Sequence, residues 1–190
     1  DPFLAACAET STVVCLHVGS SSTLTTTSPD APSDTVAVLF FVNSILATTD
    51  WLYSKVAVRY PELKVALSEG GIGWVPALMD RIEHCFRYQE FTGGWSGMDL
   101  HPNEVLRRNF WFCTIDDPAG FEMRHRIGID RIMVESDYPH ADSTWPDTQQ
   151  DLALQLTGIP KDEVDRMTWK NASELFRHPV PTEVLADVSQ

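Results

Sequence analysis

Short apolar runs alternate along this chain with longer stretches in which apolar residues recur every three or four positions. Val13 to Val18 (VVCLHV) is a compact apolar run interrupted by His17. Lys64 to Leu67 (KVAL), Phe110 to Ile115 (FWFCTI) and Arg131 to Glu135 (RIMVE) are three more. Runs of this length and composition predict strands. Between Trp74 and Tyr88, the residues Val75, Leu78, Met79, Ile82 and Phe86 fall at helical spacing. Thr35 to Thr49 (TVAVLFFVNSILATT) carries no charge, is shorter than a membrane span and contains Asn43 and Ser44. It reads as a buried helix, capped by Ser33 or Asp34, with a break at Asp50 and an end at Pro61.

Shorter signals fill the remainder. Gly19 to Thr35 is crowded with Ser, Thr and Pro and reads as a loop, as does Gly93 to Pro102. His101-Pro102-Asn103-Glu104 opens a short helix ending near Asn109. Asp116 or Asp117 caps another, with Pro118 in its first turn and Gly128 at its end. Two more helices are predicted at about Thr148–Leu156 and Lys161–Arg177. The order is therefore β-α-β-α-β-α-β-α, the signature of an α/β fold with a parallel sheet. Parallel strands open their carboxyl ends on one side, where polar residues share a crevice. Those residues are His17, Glu69, Asp116 and Asp137.

A lone His in an apolar strand is ordinarily a buried, hydrogen-bonded imidazole. The company of Glu69 and Asp137 changes that reading, because imidazole and carboxylates suit a divalent metal. Asp137 follows a strand that should be buried, where a carboxylate needs a cation, a metal or several N–H donors. Its alternative is a turn-capping role before Pro139. Glu69 precedes Gly70-Gly71, and its alternative is a loop acid before a glycine turn.

Charge narrows the function classes. The chain has 190 residues, with 14 basic against 27 acidic, a formal net charge of −13. That balance excludes a general nucleic-acid binder and disfavours an anionic membrane surface. A hydrophobic share of 43% excludes a disordered chain, and residues 1–190 are expected to form a single domain. Cys7, Cys15, Cys85 and Cys113 lack CxxC spacing and read as reduced core residues of a cytoplasmic protein. Other motifs fail. Gly70–Gly73 (GGIG) has neither the third glycine of a dinucleotide fingerprint nor the lysine of a P-loop, and GWSG is one residue short of a nucleophile elbow.

LKVALSEGGIGWVPALMDRIEH, RIMVESDYPHADSTWP, the closing NASELF and LHVGSS resemble amidohydrolase-related proteins. The likeness is to their carboxyl-terminal half, in the group that includes aminocarboxymuconate semialdehyde decarboxylase. The resemblance implies (β/α) units of a TIM-type barrel, strands five to eight with outer helices. It also implies one divalent metal at the carboxyl mouth, zinc first, with manganese or iron as alternatives. His17 and Asp137 match metal ligands, and Asp137 also matches the base that takes a proton from water. Glu69 stands where the family often has a catalytic His, and His140 would orient Asp137.

Nothing before Asp1 matches strands one to four, so a fragment, a two-chain assembly or a truncated relic is expected, with weak metal affinity. The expected function is a metal-dependent hydrolase of C–N or C–O bonds. A non-oxidative decarboxylase is the alternative, though no strand end carries the arginine that would favour it. A non-catalytic half barrel is the third reading. The expected partners are a small-molecule substrate and either a second copy of the chain or a missing amino-terminal half along the open strand edges.

Overall fold

In a computed structural model, which describes residues 1–17, 23–88 and 93–187, the four apolar runs become four strands. They are β1 (Val13–His17), β2 (Lys64–Ser68), β3 (Phe110–Thr114) and β4 (Ile132–Val134). The strands are parallel and lie in chain order, β1-β2-β3-β4. His17 stands opposite Ser68, and Thr114 opposite Val134, so the carboxyl ends are level. Val18, the end of the first apolar run, and Gly19–Ser22 of the following loop lie outside the described residues.

The two faces of the sheet differ, because side chains alternate along a strand. Val65, Leu67, Phe110, Phe112 and Ile132 point into the main core, where they meet Leu52, Val56, Val75, Met79, Val105, Phe121 and Met167 from the helices. Ala66, Trp111, Cys113 and Met133 point the other way and are covered by Leu175. On edge strand β1 this second face is thinly covered, and Cys15 and His17 are exposed there. The expectation of four core cysteines therefore fails at Cys15, whose strand, among the described residues, is paired on one side only. Cys7 and Cys113 are buried, Cys85 is half-buried, and all four are free thiols.

The helices correct the sequence reading in several places. A helix absent from that reading, α1 (Pro2–Thr10), precedes β1, with the Asp1 carboxylate accepting from the Phe3 and Leu4 amides and Pro2 in its first turn. The apolar stretch is not one buried helix broken at Asp50. It forms α2 (Asp34–Val38), α3 (Phe40–Tyr53) and α4 (Val56–Arg59), interrupted at Leu39 and at left-handed Lys55. On α3 the buried residues are Asn43, Ser44, Thr48 and Leu52, whereas Phe41 and Leu46 face solvent. Its polar stripe faces inward because Gly70 leaves room for Ser44, where an added Cβ would lie 2.3 Å from the Ser44 hydroxyl.

The other helices follow the predicted order: α5 (Val75–Arg87), α6 (Pro102–Asn109), α7 (Pro118–Glu122), α8 (Arg124–Ile127) and α9 (Thr148–Gln155). The last predicted helix is α10 (Lys161–Asp165) and α11 (Asn171–Leu175), joined by a π-turn over Arg166–Lys170. A terminal helix, α12 (Thr182–Asp187), was not anticipated. Among the described residues, no helix is long and apolar enough to cross a membrane.

Two buried asparagines fix where strands begin. The Asn109 amide donates to the carbonyls of Pro61 and Leu63, at 2.9 and 2.6 Å, just before β2. The Asn171 amide donates to the carbonyls of Ile129 and Ile132, both at 2.7 Å, at the start of β4. Each satisfies the carbonyl of a buried residue, Leu63 in one case and Ile132 in the other. Removing such a donor leaves the carbonyls unpaired at a cost of about 1–3 kcal/mol. Asn109→Ala should therefore lower the free energy of urea unfolding by about 2 kcal/mol. Glu62→Ala on the exposed loop nearby should change it by less than about 0.5 kcal/mol.

Candidate metal centre

The strand ends bring four of the polar residues into contact. After β2 the backbone turns through Glu69 in the left-handed region, at φ 58°, and after β4 it turns through Asp137 at φ 56°. Left-handed geometry crowds a Cβ against the following carbonyl at about 1–2 kcal/mol per residue. Asp tolerates it better than Glu does, and glycine would suit both positions. Strained conformations persist where surrounding contacts hold them, and they gather at functional sites.

These turns aim the two carboxylates at each other. Glu69 Oε1 lies 2.7 Å from His17 Nε2 and 3.9 Å from His140 Nδ1. His140 Nδ1 lies 2.9 Å from Asp137 Oδ2, and the His140 amide donates to the Asp137 carbonyl at 2.8 Å. One ligand atom each from Glu69, Asp137 and His140 lies within 4.8 Å of the other two. The carboxylates are well shielded, with side chains 16% and 13% exposed, while the two imidazoles lie toward solvent.

Sequence reasoning had paired His17 with Asp137 as metal ligands. The structure sets His17 against Glu69 and places Glu69 and His140 beside Asp137. Asp116 is not part of this group. It is exposed on the rim of a cavity of about 560 Å³ that is lined also by Glu69, Phe40, Phe41, Trp74 and Asp142. Of the two alternatives for the helix cap, Asp117 takes the role, accepting from the Gly120 amide at 3.0 Å. Its other oxygen accepts from the Ile72 and Gly73 amides, which pins the glycine turn.

One residue was overlooked. Glu135 lies two residues before Asp137, and its carboxylate accepts from the Ser68 hydroxyl at 2.7 Å and from the Glu69 amide. The signal was an acid closing the apolar run RIMVE, where an apolar residue would continue the strand.

Three carboxyl groups thus crowd one half-buried corner. Burial pushes the Glu69 carboxyl above its usual range, and a hydrogen bond shared with Asp137 pushes it further, while His17 pulls it back. Burial also raises Glu135, against the donors Ser68 and Glu69 N–H. Buried like charges hold a proton between them. The same place suits a cation, and an imidazole with two carboxylates is a donor set for a divalent metal. Glu69, Asp137 and His140 are the residues that would hold it, with His17 fixing Glu69 from outside.

Comparison with known proteins places this geometry in context. Residues 1–178 match a family described as amidohydrolase. No curated protein sequence matches. An amidohydrolase from Mycobacterium avium subsp. paratuberculosis is a structural neighbour at 23% identity and TM-score 0.72, covering 92% of this chain and 45% of its own. 5-Carboxyvanillate decarboxylase from Sphingomonas paucimobilis matches at 24% identity and TM-score 0.60, over 73% of this chain and 41% of its own. A dihydroxybenzoic acid decarboxylase from Polaromonas, solved with bound manganese and 2-nitroresorcinol, matches at 20% identity and TM-score 0.67, over 93% and 53%. The chain thus spans about half the length of these solved structures.

The strain and crowding at Glu69 predict a trade between stability and binding. Glu69→Gly relieves the left-handed backbone and removes one of three carboxyls, so urea unfolding at pH 7 should show no loss, or a gain of up to about 1 kcal/mol. A raised carboxyl favours the folded state while protonated and loses that benefit as pH rises through its folded value. The advantage of the glycine variant should therefore be larger at pH 7 than at pH 4.

Proposed function

The chain belongs to the amidohydrolase family, and from that premise we propose that it is part of a metal-dependent hydrolase of C–N or C–O bonds. The observation that carries this reading is the convergence of Glu69, Asp137 and His140 to ligand spacing at the strand ends. The finer assignment, to the group of aminocarboxymuconate semialdehyde decarboxylase and to strands five to eight of a TIM-type barrel, extends the resemblance of the EGGIGW and ESDYPH runs, and two observations support half a barrel of this kind. The four strands are parallel and in chain order, and the chain spans about half of the solved structures it matches. The open edges of β1 and β4 are then seams for an amino-terminal half or a second copy.

A divalent cation, zinc or manganese, would supply Lewis acidity at the scissile group and lower the pKa of water. This chain's own residues handle the proton. The Asp137 carboxylate accepts it from the attacking water and returns it to the leaving nitrogen or oxygen. Before an ion binds, the His140 Nδ1 contact with Asp137 Oδ2 holds that carboxylate in place for it. His17 fixes Glu69 in the same way from the β1 side. The cavity beside Glu69 offers Phe40, Phe41 and Trp74 to an apolar portion of a small-molecule substrate.

Decarboxylation on the same fold is the second reading, favoured by the two decarboxylases among the structural neighbours. It needs a cationic rim to hold a carboxylated substrate. Among the described residues, the cavity is lined by Glu69, Asp116, Asp117 and Asp142 with no Lys, Arg or His. That acidic rim favours a neutral substrate and hydrolysis.

Isothermal titration with manganese or zinc chloride tests the reading. One saturable site is expected, and Asp137→Asn should weaken it by about tenfold or more. A cation competes with protons for these carboxylate oxygens and displaces them to solvent, and burial raises the Glu69 carboxyl above its usual range. Affinity should therefore fall as pH drops from 8 to 5, with proton release on binding. Absence of saturable binding, or equal affinity at both pH values, would overturn the assignment. A product screen separates the two reactions, since hydrolysis frees an amine or alcohol and decarboxylation frees carbon dioxide.

A further inference from the structure

The geometry points to Glu135 as the residue that positions Glu69 for cation binding, an inference that rests on the metal-centre reading above. Glu135 is not among the three groups at ligand spacing. Its carboxylate instead reaches from the end of β4 to the end of β2, passing over β3, which separates those strands in the sheet. There one oxygen accepts from the Ser68 hydroxyl at 2.7 Å and the other from the Glu69 amide. The Cys113 thiol of β3 lies beneath. Burial and the Glu135 carboxylate push it well above its usual range, so it stays a neutral thiol.

The consequence for Glu69 is conformational. Glu69 holds a left-handed backbone that its side chain disfavours. Such a conformation persists only when neighbouring contacts specify it. Of the five described non-glycine residues with positive φ, Ser11 is a helix C-cap, Arg177 follows a helix and Lys55 opens one, whereas Glu69 and Asp137 sit at strand ends in the candidate centre. Glu135 binds the amide of Glu69 itself and the side chain before it. It therefore sets the direction in which the Glu69 carboxylate leaves the backbone, toward Asp137 and His140. Glu135 also belongs to the same chain segment as Asp137, two residues on. One short stretch after β4 thus supplies two of the three ligands directly, Asp137 and His140, and aims the third, Glu69.

Manganese titration of the full chain, with Glu135→Gln and Glu135→Ala beside the wild type, tests this. The Gln side-chain oxygen still accepts from the Glu69 amide, so Glu135→Gln should keep affinity within about threefold of wild type. Glu135→Ala removes the acceptor and should weaken binding by about 10- to 100-fold. Unchanged affinity in a folded Glu135→Ala variant overturns the proposal. Equal weakening in both variants also overturns it, since the charge rather than the hydrogen bond would then matter. If Glu135→Ala does not fold, amide exchange of Glu69 decides. The wild-type and Glu135→Gln amides should be protected, and exchange at the rate of an unpaired amide would refute the contact. Failure of the wild type to bind manganese would instead defeat the metal-centre reading, and the Glu69 amide would still report on the clamp.

Discussion

Glu69, Glu135 and Asp137 bring three carboxyl groups into one half-buried corner, and the local structure is arranged around keeping them there. Left to solvent, such groups repel and separate. Here Glu135 is occupied by the Ser68 hydroxyl and the Glu69 amide, Glu69 by His17, and Asp137 by His140. Burial still raises Glu69 and Glu135. The arrangement has a use for positive charge beyond these contacts. A divalent cation at Glu69, Asp137 and His140 would resolve that imbalance, and repulsion in its absence is the cost of holding the site ready.

The fold makes the corner by simple means. Four parallel strands in register deliver their carboxyl ends to one level, and left-handed turns at Glu69 and Asp137 swing two side chains inward. Asp117 holds the glycine turn after β2 through the Ile72 and Gly73 amides. Ser44 of α3 fills the space that Gly70 leaves. At the opposite ends of the strands, Asn109 and Asn171 satisfy the carbonyls that enter β2 and β4. The site therefore rests on buried hydrogen bonds at both ends of the sheet, where misplacement by one residue would reverse the facing of every side chain.

Much of this was legible in the residues. Apolar runs at Val13, Lys64, Phe110 and Arg131 announced the strands, because a parallel sheet buried on both faces leaves little polar alternation. His17, Glu69, Asp137 and His140 stood out as polar residues at or just beyond the ends of those runs. What could not be read was three-dimensional. The inward polar stripe of α3 depends on the gap at Gly70, more than twenty residues away. The role of Glu135 depends on reaching across β3. The contact of His17 with Glu69 rather than Asp137 depends on β1 lying beside β2. Helix α1 was legible in principle, since Asp1-Pro2 is a cap followed by a first-turn proline.

The central claim is that the acidic corner is a cation site assembled by Glu69, Asp137 and His140. A crystal grown with manganese chloride and measured for anomalous scattering tests it most directly. The account predicts one strong anomalous peak within bonding distance of a carboxylate oxygen of Glu69, one of Asp137 and a ring nitrogen of His140. A manganese peak elsewhere on the chain, with the Glu69 and Asp137 carboxyls still hydrogen-bonded to each other, would contradict it.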